Sequence, residues 1–459
     1  MKSKLPLSVL ALQASLIFNL QPSEALAAPT VTAVAAGYYH TLFIESDGSL
    51  WAMGRNDHGQ LGDGTTTERH LPVMVVAGNV VAVAAGAYHS LFLTSDGNLW
   101  AMGYNANGEL GDGTANDQLR PEQITFNQGV TAIAAGDYHS LFLKTNTLWG
   151  MGVAGSLGNG ACSDDRAPVV LQSSNVSVIA GGNFTSFYID INGSVWATGP
   201  NYNGQLGDGT TTARGYFIET LSNHSVFTGG YRVAAGSTHG FYSYVSPGFV
   251  VSLWGWGDNY NGDLGDGTTT ERDSPVEVMA SGVSAMAAGG YHSLVISNSA
   301  LWAMGDNANG DLGDGTLTER HVPTQIVSGN VTAVAAGLYH SLFIESDGSL
   351  WAMGANGNGQ LGDGSVNDSH VPERIIPPPQ LLISHINLTG TNLVLNGQND
   401  FSSGSAVVLS TTNVAKPLNQ WTPIWTNGLG NGAFSLTATN VVNRSFPQQF
   451  YILQLFQIY

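Results

Sequence analysis

The chain has 459 residues, with 14 Lys and Arg against 33 Asp and Glu, a net charge of −19, and only 10% charged residues. That balance argues against DNA or RNA as a partner, because phosphates demand the opposite sign, and it leaves basic partners open. Cys162 is the only cysteine, so no intramolecular disulfide can form and packing alone must hold the fold.

Lys2 and Lys4 precede an apolar run from Leu5 to Leu20, followed by Ala25-Leu26-Ala27, the small-residue pattern of a signal-peptidase site. The run is short for a membrane span, so residues 1–27 read as an export signal. The expected mature protein, 28–459, is secreted or envelope-associated and has no transmembrane segment.

From residue 28 the chain repeats itself seven times. The glycine of an AAG-x-Y-H phrase recurs at Gly37, Gly86, Gly136, Gly182, Gly236, Gly289 and Gly337. A tryptophan recurs at Trp51, Trp100, Trp149, Trp196, Trp254, Trp302 and Trp351, and a G-x-L-G phrase follows each one. The spacing is about 49 residues, in the range of propellers and solenoids. Within a copy, 42–46 and 49–53 read as strands around Asp47-Gly48, a two-residue hairpin signal repeated at Asp96-Gly97, Asn192-Gly193 and Asp347-Gly348. A strand of small and β-branched residues such as Val80-Val81-Ala82-Val83-Ala84-Ala85 precedes the hairpin. No segment has helical periodicity. One copy cannot bury both faces of its sheet, so the copies must stack, with the indoles wedged between neighbours. The expected fold is all-β, a seven-bladed β-propeller over 28–376.

Pro377-Pro378-Pro379 then forms a stiff linker, and 380–459 abandons the period. Short strands at 393–395, 405–410, 420–425, 433–437 and 449–455, separated by turn residues, predict a small C-terminal β-sandwich.

The phrases V-x-A-V-A-A-G-x-Y-H-S-L and L-W-A-M-G-x-N-x-x-G-Q-L-G-D-G-T, with a proline at Pro72, Pro121, Pro168, Pro275, Pro323 and Pro372, resemble the regulator-of-chromosome-condensation repeat. The resemblance covers Val31 to Ile376 and implies a seven-bladed propeller. Where the sequence repeat begins relative to a blade is left open.

Candidate chemistry is sparse. His40, His89, His139, His239, His292 and His340 share one repeat position, held by Thr185 in the fourth copy. Positions related by rotation about a ring are too far apart for one metal ion at ~2 Å, so each is expected to satisfy backbone groups in its own blade. Asp63, Asp112, Asp208, Asp266, Asp314 and Asp363 sit in glycine-rich loops without an EF-hand pattern, and read as turn residues rather than calcium ligands. Two G-x-G-x-x-G matches, Gly150 to Gly155 and Gly357 to Gly362, lack the helix that a dinucleotide site needs. With no nucleophile elbow or zinc motif, neither an enzyme nor a cofactor or metal is expected.

Variation between copies marks candidate binding positions. The residue after the AAG glycine is Tyr38, Ala87, Asp137, Asn183, Ser237, Gly290 or Leu338, and the loop before G-x-L-G carries Tyr202 and Tyr260 in two copies. The fifth copy inserts Val245 to Phe249, including Pro247 and Phe249, as a projecting finger. The expected function is a non-catalytic, monomeric exported scaffold whose loops grip a protein or a surface glycan. The resemblance also admits a protein inhibitor similar to the exported propeller β-lactamase inhibitor, and, against the export signal and acidic charge, a guanine-nucleotide exchange factor.

Overall fold

In the first copy, alternation and hairpin signals produce four consecutive strands: β1 (Val31–Ala36), β2 (His40–Glu45), β3 (Leu50–Gly54) and β4 (Arg69–Val76). They pair antiparallel in chain order, and seven such four-stranded sheets follow one another. The blades span residues 31–76, 80–123, 130–172, 176–221, 232–279, 283–327 and 331–375. The structure, a computed structural model, describes residues 30–124, 129–222, 231–246 and 250–375, and the backbone of six further strands between 381 and 457. Among the described residues there is no helix. The export signal, the proline linker and residues Pro247 and Phe249 lie outside the described residues.

The first strand of every blade is innermost. Its alanines let seven strands converge on the axis, where the strand-end glycines stand almost against one another. A Cβ on Gly37 would lie 2.5 Å from the Gly86 carbonyl oxygen, and one on Gly337 would lie 2.5 Å from that of Gly37, so no larger residue fits. The recurrent proline falls in the outermost strand, a sheet edge where a missing N–H breaks no ladder.

Apolar packing lies between blades. Phe43 and Trp51 face each other across β2 and β3, stacked at 6.1 Å, and are buried with Leu342, Leu350 and Ala352 of the seventh blade. The same arrangement joins Phe92 and Trp100 to Leu42 and Leu50, and Phe142 and Trp149 to Leu91 and Leu99. Each buried aromatic contributes on the order of 1.5–3 kcal/mol. Because that gain needs a neighbour, an isolated blade has little reason to be stable.

The histidine position also works between blades, correcting the expectation that each imidazole serves its own backbone. His40 Nε2 lies 2.9 Å from Ser90 Oγ in the next blade, and that hydroxyl donates to the Gln60 carbonyl at 2.8 Å. A carbonyl only accepts, so the single hydroxyl proton is committed and His40 must carry its proton on Nε2. The relay recurs as His89–Ser140–Glu109, His139–Ser186–Ser156, His239–Ser293–Asp263, His292–Ser341–Asp311 and His340–Thr41–Gln360. Burial holds these imidazoles neutral, with His40, His139 and His239 pushed down to about 4 and His89, His292 and His340 to about 3.

One junction departs from the rule. Between the fourth and fifth blades Thr185 replaces the histidine and Gly240 the serine, while Trp256 takes a place held by Met53 and Met102 in other copies. The Trp256 indole N–H donates to the Gln205 carbonyl at 2.9 Å, satisfying the acceptor that a serine satisfies elsewhere.

The hairpins differ from the two-residue expectation. Glu45 N–H bonds the Ser49 carbonyl and Gly48 N–H bonds the Glu45 carbonyl, so Ser46-Asp47-Gly48 is a three-residue loop with Gly48 at φ +81°. True two-residue turns occur at Thr145-Asn146 and Asn298-Ser299, all four at positive φ without glycine.

The ring closes without a shared strand. Val31 N–H bonds the Gly348 carbonyl at 2.9 Å, Gly364 N–H bonds the His70 carbonyl at 2.8 Å, and the His340–Thr41 relay spans the same seam. Beyond the ring, the chain forms two three-stranded antiparallel sheets. One holds Leu381–Thr389, Asn392–Asn399 and Gly432–Ala438, and the other Thr422–Leu429, Gly404–Thr411 and Phe450–Gln457. The strand at Leu381–Thr389 has no counterpart in the sequence expectation. No helix among the described residues is long and apolar enough to cross a membrane.

Candidate interaction face

Antiparallel register puts the β1–β2 and β3–β4 loops of every blade at one end of the ring and the β2–β3 hairpins at the other. His40 pairs with Gly54 at the first end, and Ile44 with Leu50 at the second. In the fifth blade the pairing runs from His239–Gly257 to Ser246–Val250, so the two strands flanking the insertion lengthen at the end opposite the variable loops. The variable positions of the two loop types therefore share a face, and these strand ends do not.

At the centre of that face is a cavity of about 130 Å³. Tyr38, Asp137, Ser237, Gly290 and Leu338 line it together with the axial glycines. Asn183 occupies the same ring position without lining the cavity, its N–H donating to the Gly236 carbonyl at 3.4 Å. The Tyr38 hydroxyl donates to Asp137 Oδ2 across the mouth. Crowding by the converging blades pushes the Asp137 carboxyl up to about 7, although the Tyr38 bond opposes the shift, and burial raises the Tyr38 phenol. Tyr202 and Tyr260 stand on the loops further out, 76% and 79% exposed.

Around the mouth runs a belt of half-buried aromatics, of which sequence reasoning singled out only Tyr38. Tyr291 stacks on Tyr339 at 5.9 Å, and Tyr339 approaches Tyr39 at 6.5 Å. The belt continues through Tyr38, Tyr88 and Tyr104 to Tyr138, which stacks on Phe184 at 5.2 Å. Arg55 lies between two of these rings, 5.6 Å from the Tyr39 centroid and 5.1 Å from that of Tyr88, with its guanidinium paired to Asp57 at 2.6 Å. The available signal was the Tyr of AAG-x-Y-H: a large ring in a short loop, outside the strand alternation.

Beneath the belt the residue before the leucine of G-x-L-G is buried. Gln60, Gln205 and Gln360 accept from the backbone N–H of His58, Asn203 and Asn358. Glu109 accepts likewise from Asn107. Asp263 and Asp311, one methylene shorter, make no such bond of normal geometry: both Asp263 oxygens and Asp311 Oδ1 are buried, feeling nearby N–H groups such as that of Asn261 only at long range. Burial, reinforced by the neighbouring Asp258 and Asp306, pushes Asp263 up to about 8. Burial and the charges of Asp306 and Asp368 take Asp311 to about 8 as well, against a weak bond from Asn309.

The loop aspartates are already engaged. Asp63 accepts from Asn56, Thr65 and Arg69, and Asp208, Asp266 and Asp314 are paired with Arg214, Arg272 and Arg320 in the same way. Burial alone would raise Asp63, but the Thr65 and Arg69 bonds hold it below the usual carboxylate range. Among the described residues no group of three or more His, Cys, Asp or Glu is placed to hold a metal ion.

A model of the Regulator of chromosome condensation (RCC1) repeat matches residues 47–93, 96–143, 252–296, 298–344 and 347–387, and a second RCC1 repeat model matches 31–60, 80–109 and 331–360. The first four units of the first model start near a β2–β3 hairpin and end near that of the following blade, so the family repeat straddles two blades, while the fifth runs from the seventh blade's hairpin past the end of the ring. The Arabidopsis thaliana Ultraviolet-B receptor UVR8 is 31% identical over 162 residues, which is 33% of this chain and 34% of that protein. Human E3 ubiquitin-protein ligase HERC2 is 42% identical over 55 residues, 12% of this chain and 1% of that protein. The chain thus aligns with about a third of the length of the first relative and a small fraction of the second. Among solved structures, human WBSCR16 superposes with a TM-score of 0.63 at 20% identity, covering 73% of this chain and 96% of that one. Prp20p of Saccharomyces cerevisiae superposes with a TM-score of 0.62 at 20% identity, covering 76% and 87%. These likenesses establish the fold, and with the repeat models they place the chain in the RCC1 repeat family.

Proposed function

We propose that the protein is a non-catalytic interaction scaffold that receives a protein partner on the face built by the β1–β2 and β3–β4 loops. The observation that carries this reading is the aromatic belt. From Tyr291 round to Phe184, half-exposed rings line the cavity mouth over six of the seven blades, while the buried apolar packing between blades is made by other residues. Rigid, amphipathic rings are good contact material because they order at low entropic cost. Carboxylates among them favour a basic protein segment over a neutral glycan. Propeller relatives of known structure give general support: the yeast RCC1 (Prp20) structure was solved with Kap60 bound, and Prp20p is described by its binding to Gsp1p and histones. At 19–20% identity those likenesses carry the fold and not the partners, so nucleotide exchange is not transferred to this chain.

Two further readings belong to this proposal. Residues 1–27 direct export, which fractionation of the producing cell would test. The two C-terminal sheets pack as a small sandwich, an appended module to the binding ring.

The test of the face is capture from the producing cell's envelope by residues 28–459. Replacing Tyr39, Tyr88 and Tyr339 by Ala is expected to abolish capture, and deleting 245–250 on the opposite end to leave it intact. The reverse pattern would transfer the function to the finger, and a captured polysaccharide would replace the protein partner with a glycan.

A further inference from the structure

The repeat offers an internal comparison. In the groove between the first and second blades, the tyrosines of neighbouring β1–β2 loops, Tyr39 and Tyr88, hold the guanidinium of Arg55. The corresponding groove between the sixth and seventh blades has the same two tyrosines, Tyr291 and Tyr339. The residue standing where Arg55 stands is Asp306. With no wedge between them the two rings lie on each other, 5.9 Å apart and 23° from parallel.

Beneath this groove is Asp311, whose Oδ1 lies 2.7 Å from where a Cβ would sit on Gly354 of the seventh blade. That oxygen is fully buried and has no hydrogen-bond partner, and Asp306 and Asp311 both act on the Tyr339 phenol. Asp306 gives one oxygen to the Ala308 N–H at 3.1 Å. In the groove next door, between the fifth and sixth blades, Asp263 is buried with both oxygens unpaired. The other Asp311 oxygen accepts only a long bond from Asn309 at 3.4 Å. A buried carboxyl oxygen without a donor is costly, and a cation over the π-faces above would offset that cost.

We propose that the groove floored by Tyr291 and Tyr339 and edged by Asp306, with Asp311 buried beneath it, takes an arginine or lysine side chain of the protein partner, as the first groove takes Arg55 from its own chain. The proposal rests on the reading of this face as the docking surface and adds to it the chemistry of the anchor. An incoming guanidinium has a flat face for the rings and forked donors for the Asp306 carboxylate beside them, with the buried Asp311 adding to the attraction from below, so arginine is preferred to lysine.

The test uses the full mature chain and fluorescence anisotropy of a labelled nona-arginine peptide, with nona-citrulline as its uncharged counterpart. Nona-arginine is expected to bind and nona-citrulline not. The pair Asp306→Asn and Asp311→Asn should weaken binding about tenfold, and Tyr291→Ala with Tyr339→Ala by a similar factor. Glu219→Gln with Glu277→Gln, which removes the same charge from exposed outer strands, should change it less than about twofold. Should a variant unfold, Asp306→Arg provides the second arm. It copies Arg55, should fill the groove in cis, and should abolish peptide binding while leaving the melting temperature unchanged. Equal weakening by the outer-strand pair, unchanged binding to Asp306→Arg, or equal binding of the citrulline peptide would overturn the anchor. If these fail while envelope capture still depends on Tyr39, Tyr88 and Tyr339, the docking face stands and only the groove is lost.

Discussion

His40 Nε2 and Ser90 Oγ meet 2.9 Å apart across the junction of the first and second blades, and the serine passes its own proton on to the Gln60 carbonyl. Ser90→Ala would therefore strand both a buried imidazole N–H and a buried carbonyl. Leaving such groups unsatisfied costs about 1–3 kcal/mol, and chemical denaturation should show a lower midpoint with an unchanged slope. A midpoint within error of the parent would mean the relay contributes nothing.

The exceptional junction predicts coupling between two positions. A Cβ on Gly240 would lie 3.0 Å from three Trp256 ring atoms, so Gly240→Ser alone overpacks the site by about 1–3 kcal/mol. Trp256→Met alone opens space and strands the Gln205 carbonyl, costing about 3 kcal/mol. Together they rebuild the serine and methionine of the junctions at Ser90–Met102, Ser140–Met151, Ser293–Met304 and Ser341–Met353, in which a serine hydroxyl bonds the carbonyl. The double variant should be more stable than either single one. Simple additivity in a double-mutant cycle would refute the compensation.

The buried histidines set an acid limit. Their folded pKa values, about 3 to about 4, lie below the unfolded value of 6.5, so the unfolded chain binds more protons between these limits. Stability is then fully present above about pH 6.5 and falls as pH drops toward 4, by up to about 1.4 kcal/mol per pH unit for each group. Asp137, Asp263 and Asp311 act in the opposite sense. Raised to about 7 and about 8, they contribute stability at acid pH that fades as pH rises from 3.8 through those values. Six histidines outnumber three carboxyls, so melting temperature should fall between pH 6.5 and 4, and His89→Gln should flatten that slope. A melting temperature that rises on acidification would contradict this.

Asp263→Gln and Asp311→Gln restore the side chain that the first, fourth and seventh blades carry at this position. The longer amide can reach the backbone N–H two residues earlier, as Gln60 reaches His58 at 3.0 Å. Each should stabilise the ring by about 1–2 kcal/mol at pH 8, where the buried carboxyls ionise. If the anchor groove is correct, Asp311→Gln also weakens nona-arginine binding, so a gain in stability would accompany a loss of function.

The ring was legible because seven copies repeat the same words: the period, the Trp strand and the small-residue strand predict blades of three to four strands and the packing between them, and the structure has four. Asp47-Gly48 marked a hairpin correctly but not its length, since Gly48 serves as the left-handed third residue rather than half of a two-residue turn. The histidine was misjudged because its partner, Ser90, lies 50 residues away in the next tile, and only the geometry of the ring brings them together. Tyr38, Asp137 and Leu338 were identifiable by their variation. Tyr39, Tyr291 and Tyr339 were not, because their recurrence looked like scaffold. A residue used once per blade can be both, since the same loop that ends a strand also forms the rim.

The seam between the seventh and first blades is held by contacts of the same kind as the junctions within the chain, with no strand lent across it. Among the described residues the hoop therefore has no dedicated clasp, and the seam between its first and last blades is mechanically an ordinary joint. An ancestor could add or lose one whole tile without inventing a new way to fasten the ends.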